Sequence, residues 1–396
     1  MTSVLTVPGL RARIVFAAFT GYGTLWGPYL SSMPDVRAAS GVDEGTLGAA
    51  LLCAAAAALP AMLCTGRLLD RFGRPVAVTV VLLFAAVSVL PGQAGSPLTL
   101  IVALTLFGLG SGACNVVVVA LASTVEAETG KRVMSGGHAL FSAGLLAGSA
   151  VTGLARAAGI PASAVALFVA AAVAGWVLSV RRGLPAWFAR ADRPPVGARR
   201  ARLARPALLL CLLAGLAMLV ESGVQQWSAV FLADVLRAPA SWGAAGPGVF
   251  AGAMAVGRFA GQWLSGRVPA RVLLCGSGVV SGTGVLLVAF AGTPLYGMLG
   301  IAVVGGSLSV ATPTAFALAG NWAPPADRGA VLGTTTSLAG VGLLLGPALV
   351  GRLAASTDLR VALAALCLAA FAVFLLALRL PRYDRRPAVA TEESWS

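Results

Sequence analysis

Charged residues are scarce in this chain of 396 residues: 11% are Asp, Glu, Lys or Arg, whereas 58% are hydrophobic. Soluble domains average about 25% charged residues, so this chain has too few charges to cover the surface of a soluble protein of its length. Acidic residues are rarer than basic ones, 14 against 28, and the formal net charge is +14. The composition therefore predicts a membrane protein.

Histidine and lysine each occur once, at His138 and Lys131, which excludes several classes of enzyme. A zinc-protease motif needs two histidines, and the chain has no G-x-S-x-G segment of the kind found in serine hydrolases. Lys131 follows Gly130, but Val125 and Arg132 break the pattern of a phosphate-binding loop. We therefore expect a protein that is not an enzyme and that uses no metal or other cofactor.

Six cysteines are present, and all of them fall inside long apolar segments: Cys53, Cys64, Cys114, Cys211, Cys275 and Cys367. None lies in a predicted outer loop or beside a histidine at metal-ligand spacing. This placement argues against both disulfides and zinc. We interpret the cysteines as small apolar packing residues.

Long apolar runs dominate the remaining sequence, and most approach the roughly 20 residues that a helix needs to cross a bilayer. Twelve are predicted, at 14–33, 45–66, 75–93, 98–122, 134–155, 161–180, 207–233, 243–266, 272–291, 294–319, 329–351 and 360–378. The first is interpreted as a retained span rather than a signal peptide. Backbone polar groups must be satisfied within the lipid, so the spans are expected to be helices. The predicted fold class is an all-α membrane protein with twelve transmembrane helices.

The basic residues indicate an orientation in the membrane. With the N-terminus placed in the cytoplasm, 22 of the 28 basic residues fall in inner segments and 5 in outer segments, while Arg258 lies within a span. This asymmetry fits the positive-inside rule and predicts that both termini are cytoplasmic. The net charge then needs no nucleic acid to explain it, and the lipid bilayer is the expected partner.

An internal repeat divides the chain into two halves. "GLLAGSAVTG" (144–153) and "GLLLGPALVG" (342–351) agree at six of ten positions, in the fifth and the eleventh span. The predicted organisation is a six-helix bundle at 1–180, an arginine-rich cytoplasmic linker at 181–206, a second six-helix bundle at 207–380 and a cytoplasmic tail at 381–396. Two pseudo-symmetric bundles with a cavity between them are typical of transporters.

The stretch "TGRLLDRFGRP" (65–75) places three arginines and an aspartate between two apolar runs. Residues 66–74 resemble the signature G-x-L-x-D-R-x-G-R of the major facilitator superfamily, in the hairpin after span two where that family has it. "GTLWGPYLSSMPDV", "MSGGHALFSAGLLAGS" and "ESGVQQWSAVFLADVL" resemble its bacterial inner-membrane branch of the YbjJ type. The resemblance covers about residues 10–380. It implies secondary transport by alternating access across the cytoplasmic (inner) membrane of a bacterium.

The resemblance also implies a gate at this signature, formed by Gly66, Asp70, Arg71, Gly73 and Arg74, which holds the cytoplasmic side closed near span eleven. The residue types agree with that role. Gly66 permits close helix packing, Gly73 permits a tight turn, and Asp70 can interact with nearby arginines or a helix N-terminus. The alternative is that the arginines only set the topology.

Ionisable residues at membrane depth are costly and mark functional candidates. Glu221 lies in span seven, Arg258 in span eight and His138 near the start of span five. Glu221 and His138 are candidates for proton coupling, and Arg258 for pairing with Glu221 or binding an anionic group. A structural contact between helices is the alternative for each of the three.

Other polar and aromatic residues complete the predicted substrate-binding set. In span seven, Gln225, Gln226 and Trp227 accompany Glu221, and this combination suits a polar or zwitterionic ligand. In span one, Tyr22, Trp26 and Tyr29 recur at helical spacing and form one aromatic stripe. Asn115 in span four is a further candidate. The stripe could instead pack against lipid or a neighbouring helix.

These observations predict a monomeric secondary transporter of a small polar or amphipathic molecule, with proton coupling as one mechanism. A proton antiporter that exports drugs or metabolites is an alternative with the same fold. A membrane sensor that binds a ligand without moving it is an alternative from another class.

Overall fold

The computed structural model describes residues 8–130, 133–186, 188, 205–264, 267–323 and 327–381, and their regular structure is entirely helical. The α-helices are α1 Pro8–Ser31, α2 Met33–Ser40, α3 Glu44–Phe72, α4 Arg74–Val87, α5 Pro97–Thr129, α6 Met134–Ala157, α7 Ala162–Val180, α8 Arg205–Val230, α9 Ala240–Leu264, α10 Ala270–Ala289, α11 Pro294–Leu308, α12 Ala311–Trp322, α13 Arg328–Ser356 and α14 Leu359–Leu378. A π-helical segment, Phe231–Val235, continues α8. The predicted linker and tail lie mostly outside the described residues.

The prediction of twelve transmembrane helices is confirmed. Among the described residues, ten helices are long and apolar enough to cross a membrane, with α11 and α12 counted as one span. The remaining two spans are α1, which packs against α6 in the first half, and α9, which packs against α11 in the second half and against α6 across the interface. Several helices extend beyond the predicted spans, as α5 does to Thr129 and α13 to Ser356.

The tenth predicted span is interrupted. Instead of one helix over 294–319, α11 ends at Leu308 and α12 begins at Ala311. The hydroxyl of Ser309 donates to the carbonyl of Gly306 at 2.6 Å, within the preceding turn. Pro313 follows and has no N–H to donate to the helical ladder. Local side-chain bonding and proline together account for the break.

Glycines bring α1 and α6 into backbone contact in the first half. A Cβ atom added at Gly144 would lie 2.3 Å from the carbonyl oxygen of Thr20, and one at Gly148 would lie 2.7 Å from that of Thr24. No other residue type fits at these distances without moving a helix. Small residues at such interfaces are typical of helix packing in membranes.

The second half repeats this arrangement with α8 and α13. A Cβ at Gly342 would lie 1.9 Å from the carbonyl oxygen of Gly215, and one at Gly346 would lie 2.4 Å from that of Leu219. Gly342 and Gly346 occupy the same positions of the ten-residue repeat as Gly144 and Gly148. The repeat therefore encodes equivalent helix contacts in two pseudo-symmetric bundles.

The two halves contact each other at one end of the molecule. This closed end carries α2, the end of α6 and the start of α9. Here a Cβ at Gly48 of α3 would lie 2.9 Å from the Cα of Gly351 in α13, and one at Gly248 of α9 would lie 2.9 Å from the side chain of Ser149 in α6. The opposite, open end carries the start of α1, the end of α3 and the start of α10.

We predict that Gly342→Ala destabilises the protein, whereas Gly333→Ala in the same helix does not. The added methyl group at Gly342 must displace the backbone of α8, at a cost of about 1–3 kcal/mol. A Cβ at Gly333 meets nothing within 4 Å, and alanine favours the helix by about 0.5–1 kcal/mol. Thermal unfolding of the two purified variants in detergent measures the difference, and equal midpoints would contradict the backbone contact.

Candidate functional site

A cavity of about 2420 Å³ lies between the two halves. At the open end it is bordered by residues at helix ends, including Arg267, Arg271 and Pro381. The N-terminal half contributes α1, α3, α5 and α6 to its wall, and the C-terminal half contributes α8, α9, α10, α12 and α13. The cavity thus extends into the membrane-spanning region and stops at the closed end.

The wall from the N-terminal half carries a cluster of aromatic side chains, which we call the aromatic wall. Tyr22, Trp26 and Tyr29 all line the cavity, as the stripe in span one predicts. The rings of Tyr29 and Phe107 are stacked with centroids 3.9 Å apart, and the ring of Trp26 meets each of them edge-on, at 5.4 and 5.2 Å. The hydroxyl of Tyr22 lies 3.1 Å from that of Ser111. These contacts hold the aromatic side chains in fixed orientations.

The wall from the C-terminal half carries a polar cluster on α8, which we call the polar wall. The predicted residues Glu221, Gln225 and Gln226 of α8 line the cavity, together with Ser222. Their spacing places them on one side of the helix over two turns. Asn115, the polar candidate in α5, lines the opposite wall. A molecule in the cavity would meet rings on one side and amide or carboxyl groups on the other.

The three ionisable candidates also line the cavity. In the part of the chain that the structure describes, the carboxyl group of Glu221 makes no direct hydrogen bond or ion pair, so it is not paired with Arg258 here. Arg258 Nη1 donates to Ser142 Oγ at 3.1 Å. The His138 ring packs edge-on against Phe19, with centroids 5.0 Å apart. The two opposite charges therefore share one cavity while remaining separate.

Trp227 corrects the prediction for α8, because it does not line the cavity. Its side chain is fully buried inside the C-terminal half. Its Nε1–H donates to the carbonyl oxygen of Pro347 at 3.0 Å, which ties α8 to α13. The helical rotation from Gln226 to Trp227, about 100°, turns the indole away from the neighbouring wall residue. Trp227 is therefore a packing residue in this conformation.

Sequence reasoning missed Phe107 and Ser111, which face the cavity beside the aromatic stripe. Both lie on α5 at four-residue spacing from each other, and Ser111 is four residues before the predicted Asn115. This i, i+4, i+8 pattern is a face of one helix. The spacing was available in the sequence, but nothing there distinguishes a face that lines a cavity from one that packs.

The signature segment between α3 and α4 forms the tight turn that was expected at Gly73. Its φ of 61° lies in the left-handed region that favours glycine. The N–H of Arg74 donates to the carbonyl oxygen of Ala186 at 3.1 Å, which connects this turn to the segment after α7. The Arg71 guanidinium lies 5.2 Å from the ring centroid of Phe72. The gating role of Gly66, Asp70, Arg71, Gly73 and Arg74 stays a prediction.

A cluster of charged side chains joins the halves at the closed end. Arg37 of α2 donates to Glu44 of its own half and to Asp234 of the other half, each at 2.6 Å. Arg156 of α6 donates to Asp35 at 2.5 Å and to the carbonyl oxygen of Ala240 in α9 at 3.4 Å. We call Asp35, Arg37, Glu44, Arg156 and Asp234 the closed-end ion cluster. Arg37 and Arg156 are outer-segment arginines that the sequence analysis used only for topology.

The ion cluster contains more carboxylates than guanidinium groups. Burial raises the pKa of Asp35 above its usual range; Arg156 opposes this shift, and the nearby Asp234 adds to it. Because the pKa is raised in this closed arrangement, Asp35 binds a proton more readily here than it would in water. The cluster is consequently a moderate restraint rather than a permanent bond between the halves.

Comparisons with known proteins agree on one family. The family model of the Major Facilitator Superfamily matches residues 14–308 and 264–396. An uncharacterized MFS-type transporter of Yersinia pestis is 29% identical over 347 residues, covering 85% of this chain and 86% of the relative. An uncharacterized transporter of Sinorhizobium fredii, y4wD, is 31% identical over 355 residues, covering 88% and 92%. The crystal structure of the nucleoside transporter NupG has the same fold, with a TM-score of 0.73, 14% identity and coverage of 96% and 100%.

We predict that Arg37→Gln weakens the closed end. The substitution removes both ion pairs of Arg37, whose partners are partly exposed, so the expected shift between closed and open is about 1 kcal/mol, or roughly fivefold in population. A cysteine replacing the buried Ser31, in a background without the six natural cysteines, should react faster with a water-soluble maleimide. Arg352→Gln removes an exposed arginine from the same end and is the control. Equal labelling rates in both variants would refute the role of Arg37.

Proposed function

We propose that this chain, which belongs to the Major Facilitator Superfamily, is a secondary active transporter that moves a small polar or amphipathic molecule across the cytoplasmic membrane of a bacterium by alternating access. The observation that supports this most is the cavity between the halves, which is closed at one end and bordered at the other by helix ends. A carrier needs such a one-sided cavity, since rocking of the two halves exposes it to each side in turn.

We further propose that the open end faces the cytoplasm, with both termini on that side. The support is the arginine distribution, since the segments predicted to be cytoplasmic are those at the open end. The conformation would then be inward-open. In this orientation the closed-end ion cluster faces the outside, where water and salt can reach it during opening.

The proposed binding site consists of the two walls at the depth of Glu221. The aromatic wall supplies apolar surface, and the polar wall supplies hydrogen-bond donors and acceptors, which together suit an amphipathic ligand. A ligand in contact with both walls bridges the halves, so its affinity depends on their relative position and differs between the conformations. Trp227 is left out of this set because the structure buries it within one half.

Glu221 is the proposed proton carrier, with His138 as the second candidate. A carboxyl group at this depth without a direct ion pair can accept and release a proton as the cavity changes its access to water. His138 lines the cavity nearer the open end, on α6. Export of a drug or metabolite in exchange for protons would use the same two groups. The direction of transport would then depend on the side of the membrane from which the ligand binds.

The predicted gate at Asp70 would act in the opposite conformation of the transport cycle, in which the end that is open here is closed. Toward the open end, Leu59 and Met62 of α3 and Thr336 of α13 border the cavity, although α3 and α13 touch at the closed end. Closing the open end brings these helices together near the signature turn. We propose that Asp70 then stabilises the closed arrangement with arginines or with a helix N-terminus.

Asp70→Asn should shift the resting population toward the conformation seen here and reduce transport. A cysteine at Met62, in a background without natural cysteines, should label faster in this variant, because the open end closes less often. Asp358→Asn is the control, since its carboxyl group caps α14 at the far end and asparagine caps a helix equally well. Unchanged labelling together with full transport would remove Asp70 from the mechanism.

Glu221→Gln should abolish accumulation driven by a pH gradient while leaving ligand exchange intact. Exchange requires no net proton movement, and glutamine keeps the shape and polarity of the side chain. Both activities can be measured in proteoliposomes, with His138→Gln as the parallel test of the second candidate. Loss of exchange would make Glu221 a substrate contact, and normal accumulation would make it a structural residue. Binding without any flux would indicate a sensor rather than a carrier.

A further inference from the structure

The two walls and the charges between them restrict the ligand further than the proposed function does. We propose that the cavity binds an aromatic organic anion, whose ring lies against Trp26 and whose acidic group is bound by Arg258. This inference rests on the proposed transport function and concerns the same site. It is carried by the arrangement of the aromatic side chains and by the balance of charge in the cavity.

Of the rings in the aromatic wall, that of Trp26 has the most exposed surface. Tyr29 and Phe107 are almost completely buried and stack on each other, so little of their surface is available. Trp26 is less buried, lines the cavity and is held perpendicular to both of these rings. A fixed indole that lines the cavity offers a flat apolar surface. Aromatic ligands bind such a surface through ring contacts in addition to the burial of area.

The charge balance of the cavity favours an anion. Among the described side chains that line it, Arg258, Arg267 and Arg271 are cationic, whereas Glu221 is the one carboxyl group. Arg267 donates to the carbonyl oxygen of Trp263. Arg271 contacts the carbonyl of Leu378, so neither arginine is neutralised by an acid within the described residues. Clefts lined by one sign of charge attract the opposite sign.

Arg258 is the residue placed to bind the acidic group. Arg267 and Arg271 lie near helix ends, where the positive-inside rule accounts for arginine, but Arg258 lies within the span. Its contacts are the neutral Ser142 Oγ and Met254 Sδ, each at 3.1 Å. The Arg258 side chain is half-buried and makes no ion pair with a described acid, and a carboxylate offers it a bidentate partner.

Neighbouring residues connect the ring site to the arginine. Ser142, which accepts from Arg258, follows Phe141, whose ring centroid is 5.1 Å from that of Tyr22. Trp26 lies four residues beyond Tyr22 on α1, or about 6 Å along the helix. We therefore expect an aryl ring that carries an acid on a short linker to reach both Trp26 and Arg258, and so to touch both halves of the protein.

Four compounds that differ by one feature each test the inference on the purified full-length protein. They are 4-hydroxyphenylacetate, its neutral amide, the cation tyramine and the non-aromatic 4-hydroxycyclohexylacetate. We expect 4-hydroxyphenylacetate to bind at least about tenfold more tightly than the amide or tyramine, and severalfold more tightly than 4-hydroxycyclohexylacetate. Equal or tighter binding of the amide or tyramine, or no binding of any aromatic acid, would overturn the proposal.

Variants assign the two parts of the ligand to their residues. Arg258→Gln should remove the preference for the acid over the amide, and Arg258→Lys should restore part of it. Trp26→Leu should remove the preference for the aryl over the cyclohexyl ring while retaining the preference for the acid. Arg352→Gln, far from the cavity, should change neither. If Arg258→Gln does not fold, Arg258→Lys still tests whether the arginine binds the acid in a bidentate manner. A single ammonium group should then weaken the preference for the acid over the amide severalfold.

Flux measurements separate this inference from the proposed function. Binding of 4-hydroxyphenylacetate without flux in proteoliposomes would support the ligand class and contradict transport. Flux of neutral or cationic solutes, with no effect of the aromatic acid on their uptake, would support transport and overturn the ligand class.

Discussion

Backbone contact between helices that carry glycine is the constraint on which the rest of this structure depends. In the first half, Gly144 and Gly148 of α6 lie directly against backbone carbonyl groups of α1. In the second half, Gly342 and Gly346 of α13 lie in the same way against carbonyl groups of α8. The last glycine of each repeat contacts the opposite half instead, at α9 and α3. One short sequence thus closes each bundle and also brings the bundles together at one end.

The position of the cavity follows from this contact. The halves meet closely along α6 from Ser142 onward and near the end of α13, and the cavity occupies the space between them toward the opposite end. The lining of that space is divided between the halves, with rings from α1 and α5 on one side and carboxyl and amide groups from α8 on the other. A ligand that uses both kinds of surface is sensitive to the relative position of the halves, as a transporter of the Major Facilitator Superfamily requires.

The two ends of the molecule are stabilised by different chemistry. At the closed end, glycine contacts are supplemented by an ion cluster in which Arg37 bridges carboxylates of both halves. Partly exposed ion pairs contribute little each, so such a cluster can be released without a large barrier. At the open end, the signature turn at Gly73 is anchored to the segment after α7 within its own half. This asymmetry is consistent with the proposed opening of the protein at either end.

The sequence alone determined the membrane location, the twelve spans, the two halves and nine of the residues that line the cavity, because these depend on hydrophobic length, charge bias and helical spacing. Tertiary structure decided three other features. It buried Trp227 against Pro347, it separated Glu221 from Arg258, and it joined Arg37 to Asp234, which lie 197 residues apart in the chain. In a chain where lipid-facing and protein-facing residues are both apolar, periodicity shows which residues share a face. Only packing between distant helices decides what that face contacts.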